Sequence, residues 1–486
     1  MPRFAPKGVS VSLWTLTALV AAPTLAQAAS PFVATASQAF VDRIGVNIHA
    51  DFYWTAYDNF DKNKKNPQPD LVGFQNIESA LRYLGIKHVR DSPDDQYFLS
   101  LYPKLNADLG VKFDFYIGAA KLANDPTGAN TFAFKLRNIL AAPNVVDYAE
   151  GANESDNPSW SQIYGGVSGL PATLVEQRTL LGAVNSIPQL YGRTIQASFA
   201  KEWNIEDIIP DTYNKSTTTL LGAVPGITAY ANFGNSHIYY GTGHGARNPG
   251  AAFPPYNDDP LRKSYNQTYY APFGQTAMMA YNASLLAPGK PVIATESGYH
   301  TTPNDPDGVD TTTQAKYILT LLFDQLNAGI VATYLYDLVD DEPDPKGTIA
   351  LYHYGLYNDD WSAKPAATAI HNVIFLMSDS GSVPLGTLNY RLTGAPSTLA
   401  AHLFQRHNGV FVLALWNDVP VCGPYQKLLS SAPQAVPVTI QLPQQASQIQ
   451  IADPLLGTGV TTSFHGVSSF TVPVPDHPVL ISITGS

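Results

Sequence analysis

The chain has 486 residues, a formal charge of −11 and only 14% charged residues, which is typical of a globular protein and leaves no basic surface for nucleic acid. The single cysteine, Cys422, excludes an intrachain disulfide and a thiolate zinc site, and its neighbours supply no histidine to activate it, so we expect a buried, inert thiol. The chain contains 27 tyrosines, which suit a surface that stacks on flat polar ligands.

The first residues have the pattern of an export signal. Arg3 and Lys7 precede a mostly apolar run from Val9 to Ala22, and Ala26-Gln27-Ala28 fits a small-x-small cleavage site. The alternative is a membrane anchor, which needs roughly 20 unbroken apolar residues, but this run contains serines and threonines and ends at Pro23. We therefore predict a signal peptide over residues 1–28, a secreted or periplasmic protein, and no later membrane span.

From about Phe40 to Met377 short β-branched or aromatic runs alternate with amphipathic helical patterns, which is typical of parallel β/α units. A doubly wound sheet and a barrel both contain such units, but eight of them favour an α/β fold of the (β/α)8 TIM barrel type. The candidate strands, numbered one to eight, are Ile44 to His49, His88 to Asp91, Phe113 to Gly118, Val145 to Glu150, Thr194 to Phe199, Asn235 to Tyr239, Val292 to Glu296 and Ala332 to Tyr336.

Two of the intervening helices carry clear end signals. One places Ile77, Leu81 and Leu84 on one face and is closed by Gly85, a residue suited to a left-handed cap. Another is predicted to start with the capping box Thr311-Thr312-Thr313-Gln314.

After a helix from Lys364 to Met377 the helical signals stop, and short alternating runs separated by Pro, Gly and Ser predict a C-terminal antiparallel β-sandwich. We expect the barrel to occupy residues 29–377 and the sandwich 378–486, docked on each other because the connection is short. Residues 31–38 precede the barrel and are a candidate for an extra strand of the sandwich. The predicted sandwich strands are Leu399 to Gln405, Val410 to Asn417, Val436 to Leu442, Gln448 to Ala452 and Val479 to Thr484.

Two glutamates follow predicted barrel strands, at the rim where (β/α)8 enzymes carry their catalytic residues. The fourth strand leads into Asn153-Glu154, and the seventh ends on Glu296. A pair of carboxyl groups is what cleavage of a glycosidic bond requires, one to protonate the leaving oxygen and one to trap or stabilise the oxocarbenium-like centre. The alternative is that both are ordinary exposed loop carboxylates.

An Asn-Glu pair after strand four and a Glu after strand seven resemble the largest clan of retaining glycoside hydrolases, clan A. Within that clan the sequence is most similar to glycoside hydrolase family 39 and related bacterial polysaccharide hydrolases, which also join a barrel to a β-sandwich. The likeness rests on Glu150-Gly151-Ala152-Asn153-Glu154, Ala294-Thr295-Glu296-Ser297-Gly298-Tyr299, and Gly355-Leu356-Tyr357 followed by Lys364-Pro365-Ala366. Ser155 departs from the pattern, because Pro is common after the Asn-Glu pair in such enzymes.

The resemblance implies a role for six residues. Glu154 matches the general acid/base, Glu296 the nucleophile, and Asn153 the residue that binds the sugar 2-hydroxyl. His237-Ile238-Tyr239 resembles the clan's His-x-Tyr, in which the tyrosine touches the nucleophile, and Arg90 matches an arginine near it. We therefore expect carboxyl groups roughly 5 to 5.5 Å apart, with Glu154 protonated and Glu296 ionised. Structural roles for Tyr239 and Arg90 are the alternative.

Five further residues are predicted to contact sugar hydroxyls or rings. His49 and Asp51 follow strand one, Tyr336 closes strand eight together with Asp337, and Trp160 lies in the loop after Glu154. Ordinary loop hydrogen bonds, or a tryptophan covering the core, are equally compatible with the sequence.

No cofactor or metal is predicted. Asn304-Asp305-Pro306-Asp307-Gly308 begins like a calcium loop, but no acidic residue stands at its twelfth position, so a turn is expected. The predicted partner is an oligo- or polysaccharide. A transglycosylase with the same covalent intermediate, a noncatalytic carbohydrate-binding barrel and a barrel enzyme with another substrate are the alternatives, and the sugar, the linkage, endo or exo action and the oligomeric state stay open.

Overall fold

The structure is a computed structural model that describes most of the chain. The described residues are 32–50, 52, 55–58, 71–93, 99, 101–117, 128–138, 145–157, 163–164, 166–200, 226–239, 283, 286–382, 384–396, 398–423, 425–428 and 435–485. The predicted signal peptide lies outside them.

Eight parallel strands form one sheet that curves into a barrel. They are β1 Ile44–Asn47, β2 His88–Asp91, β3 Lys112–Ile117, β4 Val146–Ala152, β5 Thr194–Ile195, β6 Gly234–Tyr239, β7 Val292–Gly298 and β8 Ala332–Leu335. Their order is β6-β7-β8-β1-β2-β3-β4-β5, and a parallel bridge between Ile195 and Phe233 connects the two ends. The predicted barrel is confirmed, and each predicted strand overlaps an observed one.

Helices cover the outside of the sheet, as the burial of both strand faces requires. The α-helices of the described part are α1 Ser37–Val41, α2 Leu71–Leu84, α3 Leu101–Leu109, α4 Gly128–Asn138, α5 Leu170–Asn185, α6 Thr311–Asn327 and α7 Pro365–Met377, and the short 3₁₀ helices are Ala56–Asp58, Pro188–Leu190, Ile227–Tyr230 and Ala350–His353. None of these described helices combines the length and apolarity that a bilayer crossing needs.

The two predicted helix ends had different outcomes. Gly85 follows α2 with a φ of +78°, as predicted for a left-handed cap. The capping box at Thr311 is wrong. Asp310 is the N-cap of α6 and accepts from the backbone N–H groups of Thr312 and Thr313, while the buried Gln314 donates to the Tyr299 carbonyl at 2.9 Å. A carboxylate one residue upstream therefore competes successfully for the cap position.

The C-terminal region is an antiparallel β-structure that agrees with the predicted sandwich. Its main strands are β9 Arg391–Thr393, β10 Leu399–Gln405, β11 Phe411–Asn417, β12 Val436–Ala452, β13 Val460–Val474 and β14 Val479–Thr484. The first half of β12 pairs with β9 and the second half with β14. In the antiparallel pairing of β12 with β13 the register shifts between Gln441 and Ala446. Short two-stranded pairs join Phe32–Val33 to Thr387–Leu388, Ile163–Tyr164 to Val167–Ser168, and Cys422–Gly423 to Lys427–Leu428.

The sequence prediction divided β12 and missed β13. Pro443 has no N–H to donate to a neighbouring strand, but β12 continues through an irregularity at that point. The first half of β13 is largely exposed, so it lacks the apolar alternation that marks a half-buried strand.

One apolar core runs from the barrel helices into the C-terminal sheet. The ring of Phe323 on α6 stacks on Phe40 at 4.4 Å and lies 5.6 Å from Trp416 of β11. The hydroxyl of Tyr317, also on α6, accepts from the backbone N–H groups of Val421 and Cys422. Near the N-terminus, Thr35–Ala36 pairs parallel to the end of β10.

Candidate active site

Arg90 is the hub of a buried polar network at the end of β2. Its side chain is 1% exposed, and it holds the two oxygens of Glu150 at 2.7 and 2.9 Å. The remaining donors reach Glu296 at 2.7 Å, Asn47 at 2.9 Å and Asn153 at 2.8 Å. All five N–H donors of the guanidinium are thereby used.

Arg90 stays charged in this environment. Burial acts to lower its pKa, but the charges of Glu150 and Glu296 outweigh burial and raise the pKa well above the ordinary value. The guanidinium also lies over the ring of Tyr116, 4.2 Å from its centroid, a position in which the ring face attracts the cation.

Glu150 holds the guanidinium of Arg90 in place. The sequence analysis assigned no role to Glu150. It is fully buried in β4 and, besides the two bonds from Arg90, accepts from the side-chain amide of Asn235 at 2.8 Å. The Thr295 hydroxyl lies 3.3 Å from the same oxygen and donates to Asn235 Oδ1 at 2.6 Å. A buried carboxylate needs such partners, so Glu150 anchors Arg90 rather than facing a ligand.

Glu296 stands on β7 with a hydrogen-bond donor on each oxygen. Arg90 donates to Oε1 and the Tyr239 hydroxyl donates to Oε2, both at 2.7 Å, and the residue is 7% exposed. These two charge-assisted bonds hold the carboxylate in one position. The strand that carries Glu296 also lies close to the chain at the end of β8, because a Cβ on Gly298 would lie 2.4 Å from the Tyr336 carbonyl oxygen.

Glu154 lies in the turn after β4 with a φ of +41°, a left-handed conformation that costs a non-glycine residue about 1 kcal/mol or more. Ser198 holds this turn. Its hydroxyl accepts from the Glu154 N–H at 2.8 Å and its carbonyl accepts from the Ser155 N–H at 3.0 Å. Ser155 thus supplies a donor that a proline at this position lacks.

His237 connects the two glutamates. Its Nδ1 lies 3.2 Å from Oε1 of Glu154 and 3.5 Å from Oε2 of Glu296, and a carboxylate oxygen of each glutamate lies within 4.8 Å of one from the other. These three residues are close enough together to ligate a metal ion, but Arg90 already occupies one oxygen of Glu296, and its charge opposes a second cation. A protonated imidazole satisfies both carboxylates at this spacing.

The surroundings of Glu154 favour its ionised form, whereas the sequence analysis expected a protonated acid. Burial raises the pKa of Glu154, but the hydrogen bond and charge of His237, with Asn157 and Arg90, outweigh burial and lower the pKa below its ordinary value. Burial lowers the pKa of His237, yet Glu296 and Glu154 together raise it to about 9. These surroundings favour the proton on the histidine rather than on Glu154.

Aromatic rings form one wall of the site. Tyr354, from the loop after β8, lies 5.4 Å from Tyr239 and 5.5 Å from Tyr336 between ring centroids. His49 Nε2 is 3.2 Å from the Tyr336 hydroxyl. Burial and then Arg90 lower the pKa of His49 to about 3, so this imidazole is neutral and acts only through hydrogen bonds.

Neither a protein-family model nor a curated protein matches the sequence, but solved structures match the fold. A family 39 glycoside hydrolase from Xanthomonas axonopodis pv. citri is 15% identical, with 96% of this chain and 100% of that chain covered and a TM-score of 0.54. The chain has the fold of this family. A monomeric β-xylosidase from Caulobacter crescentus CB15 is 15% identical, with 95% and 98% covered and a TM-score of 0.55. A glucosidase from Croceicoccus marinus is 13% identical, with 94% and 97% covered and a TM-score of 0.55.

On this family 39 fold, most of the predicted site residues converge. Those that the network brings together are Arg90, Asn153, Glu154, His237, Tyr239 and Glu296, with His49 and Tyr336 beside them. Asp51 and Trp160 lie outside the described residues. Asp337 is buried and accepts from the Tyr57 hydroxyl at 3.3 Å.

The residues that the sequence analysis missed are Asn47, Glu150, Asn235, Thr295 and Tyr354. The first four are polar side chains within or at the end of buried strands, and a search for polar residues in otherwise apolar runs would have found them. Tyr354 comes from a loop with no periodic pattern, so only the folded structure reveals it.

Proposed function

We propose that this protein is an exported retaining glycoside hydrolase in which Glu296 is the nucleophile and Glu154 the general acid and base. The observation that carries the proposal is that an oxygen of Glu154 and an oxygen of Glu296 lie within 4.8 Å of each other at one rim of the barrel. Retaining enzymes place the two groups about 5 to 5.5 Å apart, whereas inverting enzymes separate them by roughly 6.5 to 9.5 Å to admit a water. The spacing therefore supports double displacement.

The two carboxylates differ in their hydrogen-bond partners and in their exposure, as expected for a nucleophile and a general acid/base. Glu296 is fixed by Arg90 and Tyr239, as suits a nucleophile that attacks from one position. Glu154 instead sits on a partly exposed turn and is contacted by His237 and Asn157 at 3.2 Å each. It is thus placed to exchange a proton with a leaving oxygen and later with water.

In the first step Glu296 forms a bond to the anomeric carbon, the glycosidic bond breaks, and Glu154 protonates the departing oxygen. In the second step Glu154 takes a proton from water, which displaces Glu296 and releases the sugar. Arg90 holds the side-chain oxygen of Asn153, and we propose that its amide nitrogen donates to the sugar 2-hydroxyl. We propose Tyr354, Tyr336 and His49 as further contacts, and an oligo- or polysaccharide as the substrate.

The test compares two alanine variants on a phenyl and a 2,4-dinitrophenyl glycoside. β-Xylosides and β-glucosides are the first choice, because two proteins with this fold are named for those sugars. Glu296→Ala should abolish turnover of both compounds. Glu154→Ala should lose roughly 10²- to 10⁴-fold on the phenyl glycoside but keep a fast first step on the dinitrophenyl glycoside, whose leaving group departs without protonation.

The covalent intermediate separates the two roles further. It should accumulate on Glu296 in Glu154→Ala, be visible by mass spectrometry, and be released by azide as a β-glycosyl azide. Glu78→Ala, on the outer helix α2, is the matched control and should behave as the wild type. Equal losses in both site variants without azide rescue would refute the roles, and binding without turnover in the wild type would favour a noncatalytic carbohydrate-binding barrel. Transfer to an added acceptor sugar would identify a transglycosylase.

Export is the second part of the proposal. It is supported by the charged start, the apolar run and the Ala26-Gln27-Ala28 site. N-terminal sequencing of the protein expressed with its own leader should give a mature chain that starts near Ala29 in the periplasm or the medium. A full-length protein retained in the cytoplasm would contradict it.

A further inference from the structure

The proposed roles leave one question open, namely where Glu154 obtains the proton that it delivers. Its pKa lies below the ordinary value, so at neutral pH the free protein has an ionised carboxylate where a general acid is needed. The answer has to come from a group that contacts Glu154, and the ring nitrogen of His237 is such a group.

The hydrogen bonds around His237 determine which ring nitrogen exchanges its proton. Asn235 donates its amide to Glu150 and to the Gln196 carbonyl, so its oxygen is left to accept from the Thr295 hydroxyl at 2.6 Å. Thr295 has then used its only proton and accepts from His237 Nε2 at 3.2 Å. Nε2 is therefore protonated in either charge state of the ring.

Nδ1 is consequently the nitrogen that titrates, and it faces two carboxylates. The charged groups around it are Glu154 after β4, Glu296 on β7 and Arg90 on β2. A bare Nδ1 lone pair 3.2 Å from a carboxylate oxygen is repulsive, so the contact needs one proton, either as Nδ1–H with ionised Glu154 or as O–H of Glu154 with neutral imidazole. His237 is 5% exposed, so Nδ1 exchanges its proton through the partly exposed Glu154 and not directly with solvent.

We propose that His237 Nδ1 stores the proton that Glu154 gives to the leaving oxygen and recovers it in the second step. This inference rests on the proposed function. The charge of Glu296 is the largest of the influences that hold the proton on His237, and that charge disappears when Glu296 becomes a glycosyl ester. As the ester forms, His237 releases its proton through Glu154 to the leaving oxygen. This leaves Glu154 ionised and the imidazole neutral, and because a bare Nδ1 repels the carboxylate, their contact opens to admit the water of the second step.

The second step reverses the transfer and balances the cycle. Glu154 takes a proton from the attacking water, the ester bond to Glu296 breaks, and the returning carboxylate charge draws the proton back to Nδ1. His237 is thus a positioning residue that acts through Glu154, and no bond to the sugar is required of it.

His237→Gln is the variant that tests this, because the amide still donates a hydrogen bond but has no proton to transfer. We expect kcat/KM for the phenyl glycoside to fall by roughly 10²-fold, with a much smaller loss for the dinitrophenyl glycoside. The basic limb of the pH profile should move to lower pH, since the proton is then held by a carboxyl group alone. Deglycosylation keeps its base, so neither a trapped intermediate nor a glycosyl azide should form.

A control variant and a second, independent measurement accompany this test. His371→Gln, on the outer helix α7, should behave as the wild type. If His237→Gln does not fold, nitrogen NMR of the histidine rings in the wild-type protein tests the inference instead. The His237 ring should be doubly protonated at pH 7 in the free protein and singly protonated once a 2-deoxy-2-fluoro glycoside is trapped on Glu296.

A His237→Gln variant that loses both substrates equally with an unmoved basic limb, or a neutral His237 in the free protein, would overturn the inference. These results are distinct from failure of the proposed function, which the Glu154→Ala and Glu296→Ala variants decide by themselves.

Discussion

At the scale of single residues, the geometry of the site depends on the hydrogen bonds that Arg90 donates to two carboxylates, Glu150 and Glu296. Arg90 faces Glu150 with two nitrogens and Glu296 with a third. Because the guanidinium is planar, its fork fixes Glu150 and Glu296 relative to each other, which a point charge does not do. The position of the Glu296 carboxylate is therefore set by an arginine three strands away in the sheet and by the buried Glu150 that holds this arginine.

Arg90→Lys keeps the positive charge but removes the planar guanidinium. The variant therefore separates the contribution of charge from that of hydrogen-bond geometry. We expect kcat/KM to fall by at least about 10²-fold, the usual cost of a lost preorganised donor. Because some buried acceptors lose their partner, the free energy of unfolding should fall by about 3 kcal/mol, as measured by urea denaturation. Arg82→Lys, whose ion pair with Glu78 is on the surface, should change neither quantity measurably. Full activity in Arg90→Lys would show that charge alone suffices.

Sequence reasoning found the charged residues of the site but not its protonation. Glu154, Glu296 and Arg90 stand at strand ends, and the topology of a parallel barrel brings such ends together. The proton is different, because it depends on distances of about 3 Å between His237 and residues on other strands. A one-dimensional pattern does not contain those distances, and so the sequence analysis placed the proton on Glu154.

At the scale of elements, strand positions were predictable and helix caps and exposed strands were less so. The barrel strands are buried on most of their length, and their apolar runs give a strong signal. The start of α6 is decided by a competition between Asp310 and Thr311 for the same N-cap, and a carboxylate that accepts two backbone N–H groups succeeds. Near-equivalent neighbours of this kind differ by too little free energy for a sequence pattern to resolve.

The cap can be tested directly. Asp310→Ala should lower the free energy of unfolding by about 1 kcal/mol, because it leaves the N–H groups of Thr312 and Thr313 without their acceptor. Thr311→Ala is the matched control, since Thr311 is exposed and lies within the first turn rather than at the cap. Chemical denaturation of both variants provides the measurement. A larger loss in Thr311→Ala would restore the capping box at Thr311.

At the scale of the whole molecule, the question is whether the barrel and the C-terminal β-structure are one cooperative unit. We propose a boundary at Ser378, with the two parts docked through α1 and α6. Phe40 and Phe323 pack against Phe404 and Trp416 in a single cluster, and the ion pair between Lys316 and Asp476 spans the same junction at 2.8 Å. Exposing that cluster to water would cost each large side chain roughly 1.5 to 3 kcal/mol.

Leu413→Ala tests this coupling, because Leu413 is fully buried in the core of the C-terminal sheet and not in the shared cluster. The cavity should cost about 2 to 5 kcal/mol. If the two parts unfold together, hydrogen exchange followed by mass spectrometry should show faster exchange in both the β10–β14 peptides and the barrel strands, by the same factor in their slowest amides. Limited proteolysis should then release no stable fragment. Faster exchange confined to β10–β14, or a protease-resistant barrel ending near Met377, would show that the barrel is stable by itself.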